Sequence, residues 1–280
     1  MLICKTVTEV RSAVANLRKD GSVGLVTTMG ALHAGHMALV AAATGDHASV
    51  VATIFVNPTQ FGDAKDLENY PRTEEADLAM LKAAGVAAVF MPTPDVIYPP
   101  GDETIVETTR LANILHGAVR PGHFCGVATV VTKLLSIVGP DAAYFGEKDY
   151  QQLAVIRRMV TDLFIPVAIH GVPTVREADG LAMSSRNVRL IGDERYDARV
   201  LNLSLTVAEA MVKEGKTVEV VAETIRGVIA SKRGAKLVGL DIVDAATFNP
   251  VTGVPTRPIG IMIAVQFMTV MLIDQKEITP

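Results

Sequence analysis

Short runs of apolar, often β-branched residues alternate with stretches of helical spacing through the first 173 positions. The run Val23-Gly-Leu-Val-Thr-Thr28 predicts a buried strand, and 35–43 predicts a helix after it. A second strand is expected over 49–57, halted by Pro58. Leu78, Leu81 and Ala84 recur at helical spacing within 73–85, with Thr73 as N-cap and Gly85 as stop. Strands over 86–91, 142–145 and 167–172 and helices over 126–138 and 149–163 continue the alternation. Such β-α-β order implies right-handed crossovers and a parallel sheet. Ligands of such sheets bind at the carboxyl ends of the strands, where the strand order reverses. Beyond Pro173 the order changes: helices over 193–214 and 218–231 precede strands over 237–244 and 261–274. The expectation is an α/β protein: a Rossmann-like domain over 1–173 and a smaller α+β domain over 174–280. There is no internal repeat and no low-complexity segment.

Composition sharpens this picture. Hydrophobic residues make up 49% of the chain and aromatic residues 5%, with no Trp, so aliphatic side chains must build the core. The net charge of −4 argues against wrapping nucleic acid, which usually needs a basic excess, and leaves small anions open. Two cysteines, Cys4 and Cys125, make neither a disulfide framework nor a zinc CxxC pair. The N-terminus lacks the apolar core of a signal peptide. The most apolar stretch, 259–273, is interrupted by Gln266 and Thr269 and falls short of the ~20 residues a membrane helix needs. Two buried strands fit it better, and a soluble cytoplasmic protein is expected.

Five segments carry candidate chemistry, mostly at the expected strand ends. Thr28-Met-Gly-Ala-Leu-His33-Ala-Gly-His36 joins a strand to a helix, and histidines three apart project from one side of its first turn. Two imidazoles there can donate to phosphate oxygens, although histidines at a helix start with Gly for packing give the same pattern. Asn57-Pro-Thr-Gln60-Phe-Gly62 offers amides for the hydroxyls and carboxylate of a polar acid, or an ordinary Asn-Pro turn. Arg120-Pro-Gly-His123-Phe-Cys125-Gly126 places Arg120 and His123 at the mouth of an anionic site. Cys125 beside His123 suggests a thiol nucleophile, but neighbours in a loop rarely meet in the required geometry. In Phe145-Gly-Glu-Lys148-Asp-Tyr-Gln-Gln152, Lys148 is suited to clamp phosphate and is expected to share a helix face with Gln152; a solvated turn is the plainer alternative. Val175-Arg-Glu-Ala-Asp-Gly-Leu-Ala-Met183-Ser-Ser-Arg186-Asn reads as a flexible anion grip or as a polar linker. No GxxxxGK[ST], GxGxxG or HExxH is present, so any ATP use is not of the P-loop kind.

Taken together and in order, TMGALHAGH, IFVNPTQFG, YPRT, RPGHF, FGEKDYQQL and VPTVREADGLAMSSRN resemble the pantothenate synthetases, within the HxGH nucleotidylyltransferase superfamily. The resemblance is strongest over 28–187 and implies joining of pantoate to β-alanine with Mg²⁺ as cofactor, ATP being consumed as a substrate and AMP and pyrophosphate released. It puts Met29, Gly30, His33, Gly35, His36, Gly146, Glu147, Lys148, Asp149, Val175, Met183, Ser184, Ser185 and Arg186 against ATP. Within that set it casts His33, His36, Lys148 and Arg186 as catalytic. Gln60 and Gln152, with Asn57 nearby, would hold pantoate or β-alanine. Asp77 stands where relatives can carry more acids, so the resemblance leaves the metal ligands unassigned. It also implies a homodimer whose C-terminal domain closes as a lid. The rival expectations are nucleotidyl transfer to a phosphate ester such as phosphopantetheine, and a catalytically idle nucleotide-binding protein.

Overall fold

The computed structural model describes every residue except Asp63 and Thr269, and of Ala64 the backbone alone. By contact clustering the chain divides into two compact units, Met1–Glu147 with Gln151–Pro173, and Lys148–Tyr150 with Thr174–Pro280.

The first unit is built on six strands: β1 Leu2–Cys4, β2 Val23–Thr28, β3 Ser49–Ile54, β4 Ala88–Phe90, β5 Ala142–Gly146 and β6 Ala168–Val172. All pair in parallel in the order β1-β4-β3-β2-β5-β6. From β2 the chain steps toward β4 on one side, and β5 and β6 return on the other. The order therefore reverses between β2 and β5. The central strands are near-continuous apolar runs because both faces are covered. Val26, Val50, Ala52 and Val89 pack with Leu39, Val40 and Leu81 of the helices Ala34–Asp46 and Glu74–Ala83 in one buried cluster.

Several elements depart from the pattern in the sequence. The strand expected over 49–57 ends at Ile54, and Asn57 instead caps a 3₁₀ turn over Pro58–Gln60. The helix expected from 126 starts at His123, because Gly122 at φ 79° supplies the left-handed entry. An edge strand, β1, and a helix over Val7–Leu17 were not anticipated; Thr6 and Glu9 form a reciprocal capping box there. Thr73 occupies an N-cap position but makes no cap hydrogen bond, because its hydroxyl donates to Asp77 at 3.0 Å.

In the second unit an antiparallel sheet of β7 Lys236–Asp244, β8 Ile259–Gln266 and β9 Met271–Ile278 runs in the order β7-β8-β9. The apolar stretch over 259–273 is thus two strands, paired from Ile259↔Ile278 to Gln266↔Met271. Thr269, within the strand expected over 261–274, lies outside the described residues. The helix expected over 193–214 divides into Asp193–Asp197 and Val200–Lys213, with Leu201 N donating to Ala198 O across the break. Leu201 and Leu205, with Val221 and Ile225 of the helix Val218–Ala230, bury against Ile261, Ile263 and Val265 of β8. Among the described residues no helix is long and apolar enough to cross a membrane.

Candidate active site

The turn after β2 is held from beneath. The Thr28 hydroxyl donates to Thr53 O of β3 at 2.7 Å and accepts from Gly30 N at 3.2 Å. Gly30 (φ 82°) and Ala31 (φ 50°) both adopt left-handed backbone, and a Cβ on Gly30 would stand 3.1 Å from Asp77 Oδ2 and 3.2 Å from Ile54 Cγ2. Asp77 itself is buried, and its carboxylate accepts from Ala31 N and Leu32 N, both at 2.8 Å. By its place among the acids of relatives, Asp77 suggests a metal ligand and nothing more. Its helical spacing with Leu81 placed it on the buried face, and that was the available signal.

His33 caps the helix Ala34–Asp46: its Nδ1 accepts from Gly35 N at 3.1 Å, and His36 Nδ1 accepts from His33 N at 3.4 Å. An Nδ1 that accepts leaves the proton of the neutral ring on Nε2. Both imidazoles are therefore set as Nε2–H donors, with ring centroids 4.1 Å apart at an interplanar angle of 36°. At the positive end of the helix dipole, this is a donor cluster for an anion, at the carboxyl end of β2 beside the point of reversal.

Asn57 is buried and its amide is fully occupied. It donates to Gln60 Oε1 at 3.0 Å and to Gly126 O at 3.2 Å, and accepts from Thr59 N, the Thr59 hydroxyl and the Tyr98 hydroxyl. Burial pushes the Tyr98 phenol above its ordinary value, so it stays a donor. Asn57 thus orients Gln60, whose Nε2 donates toward Met29 Sδ at 3.4 Å and so links the second motif to the first. His123 donates from Nδ1 to Gln60 O at 2.8 Å, because a carbonyl can only accept, and its Nε2 faces Arg120 Nη1 at 3.5 Å. Gly126 lets the helix His123–Val138 touch this turn: a Cβ there would lie 2.6 Å from Thr59 O. Burial, with Glu107 adding repulsion, raises the Cys125 thiol, so it is a poor nucleophile at neutral pH.

Gly146 ends β5, and Glu147 N donates to Val172 O at 2.9 Å. Gln151, buried, bonds Leu111 O, Ile114 O and His116 N, while Gln152 on the helix Tyr150–Asp162 is half-buried. Lys148 lies in the turn ahead of that helix, so the helical face expected to hold Lys148 with Gln152 does not form. Its Nζ is 3.8 Å from Asp149 Oδ1, within the second unit.

The segment from Val175 to Asn187 is neither an open loop nor a plain linker. Met183 N donates to Val175 O, Glu177 N to Leu181 O, and Arg176 forms an isolated bridge with Ala182. Arg176 grips the buried Asp274 carboxylate of β9 bidentately, at 2.7 and 3.0 Å. Arg195 ties Asp179 and Glu177 at 2.7 and 2.6 Å, and Asn187 bonds Glu177 and Ala182 O. Arg195 holds the Asp179 carboxyl below its ordinary value, and Asp179 in turn raises Arg195. The brace presents Met183, Ser184, Ser185 and Arg186 as one half-buried stretch, with Arg186 N donating to Ser184 Oγ.

Among the described residues no three His, Cys, Asp or Glu side chains group as a metal site. The Asp77 carboxylate oxygens are turned to the Ala31 and Leu32 amides.

Residues 2–277 match the family Pantoate-beta-alanine ligase. A pantothenate synthetase of Bartonella quintana is 46% identical over 275 residues, covering 98% of this chain and 96% of that one. The crystal structure of pantothenate synthetase from Thermus thermophilus superposes with a TM-score of 0.95 at 43% identity, with full coverage of both chains. That of pantoate-beta-alanine ligase from Francisella tularensis, complexed with beta-gamma ATP and beta-alanine, gives 0.82 at 35% identity, over 99% of this chain and 97% of that one. A match over nearly the whole chain, together with the shared α/β fold, shows that this protein belongs to the pantoate–β-alanine ligase family.

Proposed function

We propose that the protein joins pantoate to β-alanine, consuming ATP and releasing AMP and pyrophosphate, through a pantoyl-adenylate. The observation that carries this reading is the pair of adjacent imidazoles at the start of the helix Ala34–Asp46, both fixed as Nε2–H donors beside the strand reversal. Donors set in advance toward phosphate oxygens stabilise charge as it develops, and need no reorganisation.

In this reading Met29, Gly30 and Gly35 receive ATP, with Gly146, Glu147, Asp149 and Val175. His33, His36, Lys148 and Arg186 carry the charge, and Met183, Ser184 and Ser185 close on the phosphates. Gln60, oriented by Asn57, and Gln152 hold pantoate. A pantoate carboxylate oxygen attacks the α-phosphorus, a P–O bond forms, and pyrophosphate leaves with the electron pair of the broken P–O bond. The unprotonated amine of β-alanine then attacks the acyl carbon; a C–N bond forms, the acyl C–O bond to phosphate breaks so that AMP leaves with its electron pair, and the nitrogen gives up one proton to solvent. Mg²⁺ arrives as the counter-ion of the nucleotide. The C-terminal unit serves as the lid that keeps water from the anhydride. Cytoplasmic location and a homodimer complete the proposal, on family resemblance.

The test is product analysis of the purified protein with ATP, pantoate and Mg²⁺, with and without β-alanine. AMP and a new amide in equal amounts, formed only with all components present, support the reading. AMP retained in a dinucleotide-like product, or no pyrophosphate release, refutes it.

A further inference from the structure

We infer that Asp77 is a positioning residue for the HxGH turn: its buried carboxylate holds Ala31 in left-handed backbone and so sets His33 and His36 where they act. A non-glycine residue at positive φ is strained and persists only where its surroundings over-determine it. Ala31 (φ 50°) follows Gly30 (φ 82°), and no Cβ-free residue relieves the second position. What closes the turn is the carboxylate beneath it. Oδ2 accepts from Ala31 N at 2.8 Å, and Oδ1 accepts from Leu32 N at 2.8 Å and from the Thr73 hydroxyl at 3.0 Å.

The two N–H groups reach different oxygens, Ala31 N to Oδ2 and Leu32 N to Oδ1, so an amide in place of the carboxylate sets an NH₂ donor against one of the two N–H groups. Asp77 stands in the first turn of the helix Glu74–Ala83, where the helix dipole favours negative charge. Leu32, whose N–H it holds, directly precedes His33, whose Nδ1 and N–H both belong to the capping box. A shift at residues 31 and 32 therefore passes straight to the imidazoles. The role in turnover rests on the proposed function; the hold on the turn does not.

The experiment compares the full-length wild type, Asp77→Asn, Ala31→Gly and the double variant. Glycine takes φ 50° without strain, so it removes the need for the hold. Loss of one charge-assisted hydrogen bond, at roughly tenfold, predicts that Asp77→Asn lowers kcat/KM for ATP by about 10- to 100-fold. KM for ATP rises while KM for pantoate stays within about twofold, a split that a smaller folded fraction cannot produce. Ala31→Gly alone stays within about twofold of wild type, and in the double variant it restores about fivefold or more. Hydrogen exchange of the Ala31 and Leu32 amides accelerates in Asp77→Asn while β3 amides stay protected. No rescue by Ala31→Gly overturns the inference. So does recovery of Asp77→Asn by excess Mg²⁺, which would make Asp77 a metal ligand. If Asp77→Asn does not fold, Thr73→Val, which removes one donor to the same carboxylate, is expected to show a smaller loss with the same rescue. An inactive wild type would sink the proposed function, and the exchange rates would still decide the hold.

Discussion

Replacing Asn57 by alanine tests how the pantoate-side turn is built. The side chain makes five polar contacts: 3.0 and 3.2 Å as donor to Gln60 Oε1 and Gly126 O, and 3.4, 3.0 and 2.7 Å as acceptor from Thr59 N, the Thr59 hydroxyl and the Tyr98 hydroxyl. The contacts at 3.2 and 3.4 Å are long and are discounted. The other three, at ~1 kcal/mol net each, give about 3 kcal/mol. For a unit of this size that lowers Tm by roughly 6–12 °C. Function shifts separately. Without the Asn57 donor only the weak sulfur contact to Met29 biases which end of the Gln60 amide faces the site, and losing ~1 kcal/mol of orientation raises KM for pantoate about fivefold. Differential scanning fluorimetry reads the first effect and AMP release at varied pantoate the second. Asn57→Asp keeps the size but sets an acceptor oxygen against the acceptors Gln60 Oε1 and Gly126 O, so it should do no better than alanine. An unchanged Tm, or a KM for ATP that rises while that for pantoate does not, would refute the reasoning.

Gly126→Ala pushes a Cβ to 2.6 Å from Thr59 O, a backbone atom that cannot swing aside. It should cost about 2 kcal/mol or more and raise KM for pantoate, measured as above. Cys125→Ala keeps activity within about twofold, and Cys125, whose thiol burial raises, reacts slowly with iodoacetamide at neutral pH; rapid alkylation with loss of turnover would contradict this. Arg195 holds the Asp179 carboxyl below its ordinary value, so the contribution of that group is complete above roughly pH 5 and is lost as pH falls through the lowered value. The Tm gap between wild type and Asp179→Asn should be widest near neutral pH and close below about pH 4.

Much of the frame could be read from residue order alone. Buried parallel strands must be apolar on both faces, so the run Val23-Gly-Leu-Val-Thr-Thr28 marked β2 to the residue, and the motifs fell at strand ends because there the backbone opens toward a ligand. Val7–Leu17 is marked by its Thr6/Glu9 capping box, but its polar stretch carries few apolar positions, Val10, Ala13 and Val14, to show a buried face. The split of the 193–214 helix was not legible, because no Pro or Gly marks it.

Sequence alone determined the chemistry on offer: two imidazoles three apart, a lysine after a strand, a Ser-Ser-Arg stretch and paired amides, each tied to local periodicity. Only the tertiary structure decided what each group does. Asn57 serves Gln60, Gln151 spans Leu111, Ile114 and His116, Asp77 faces the amides of residues 31 and 32, and Arg176 meets Asp274 across 98 positions. Local spacing sets direction within a turn or two of chain. Which polar atom satisfies which buried partner depends on folding distant segments together, because a buried donor or acceptor must be paired wherever the fold brings it.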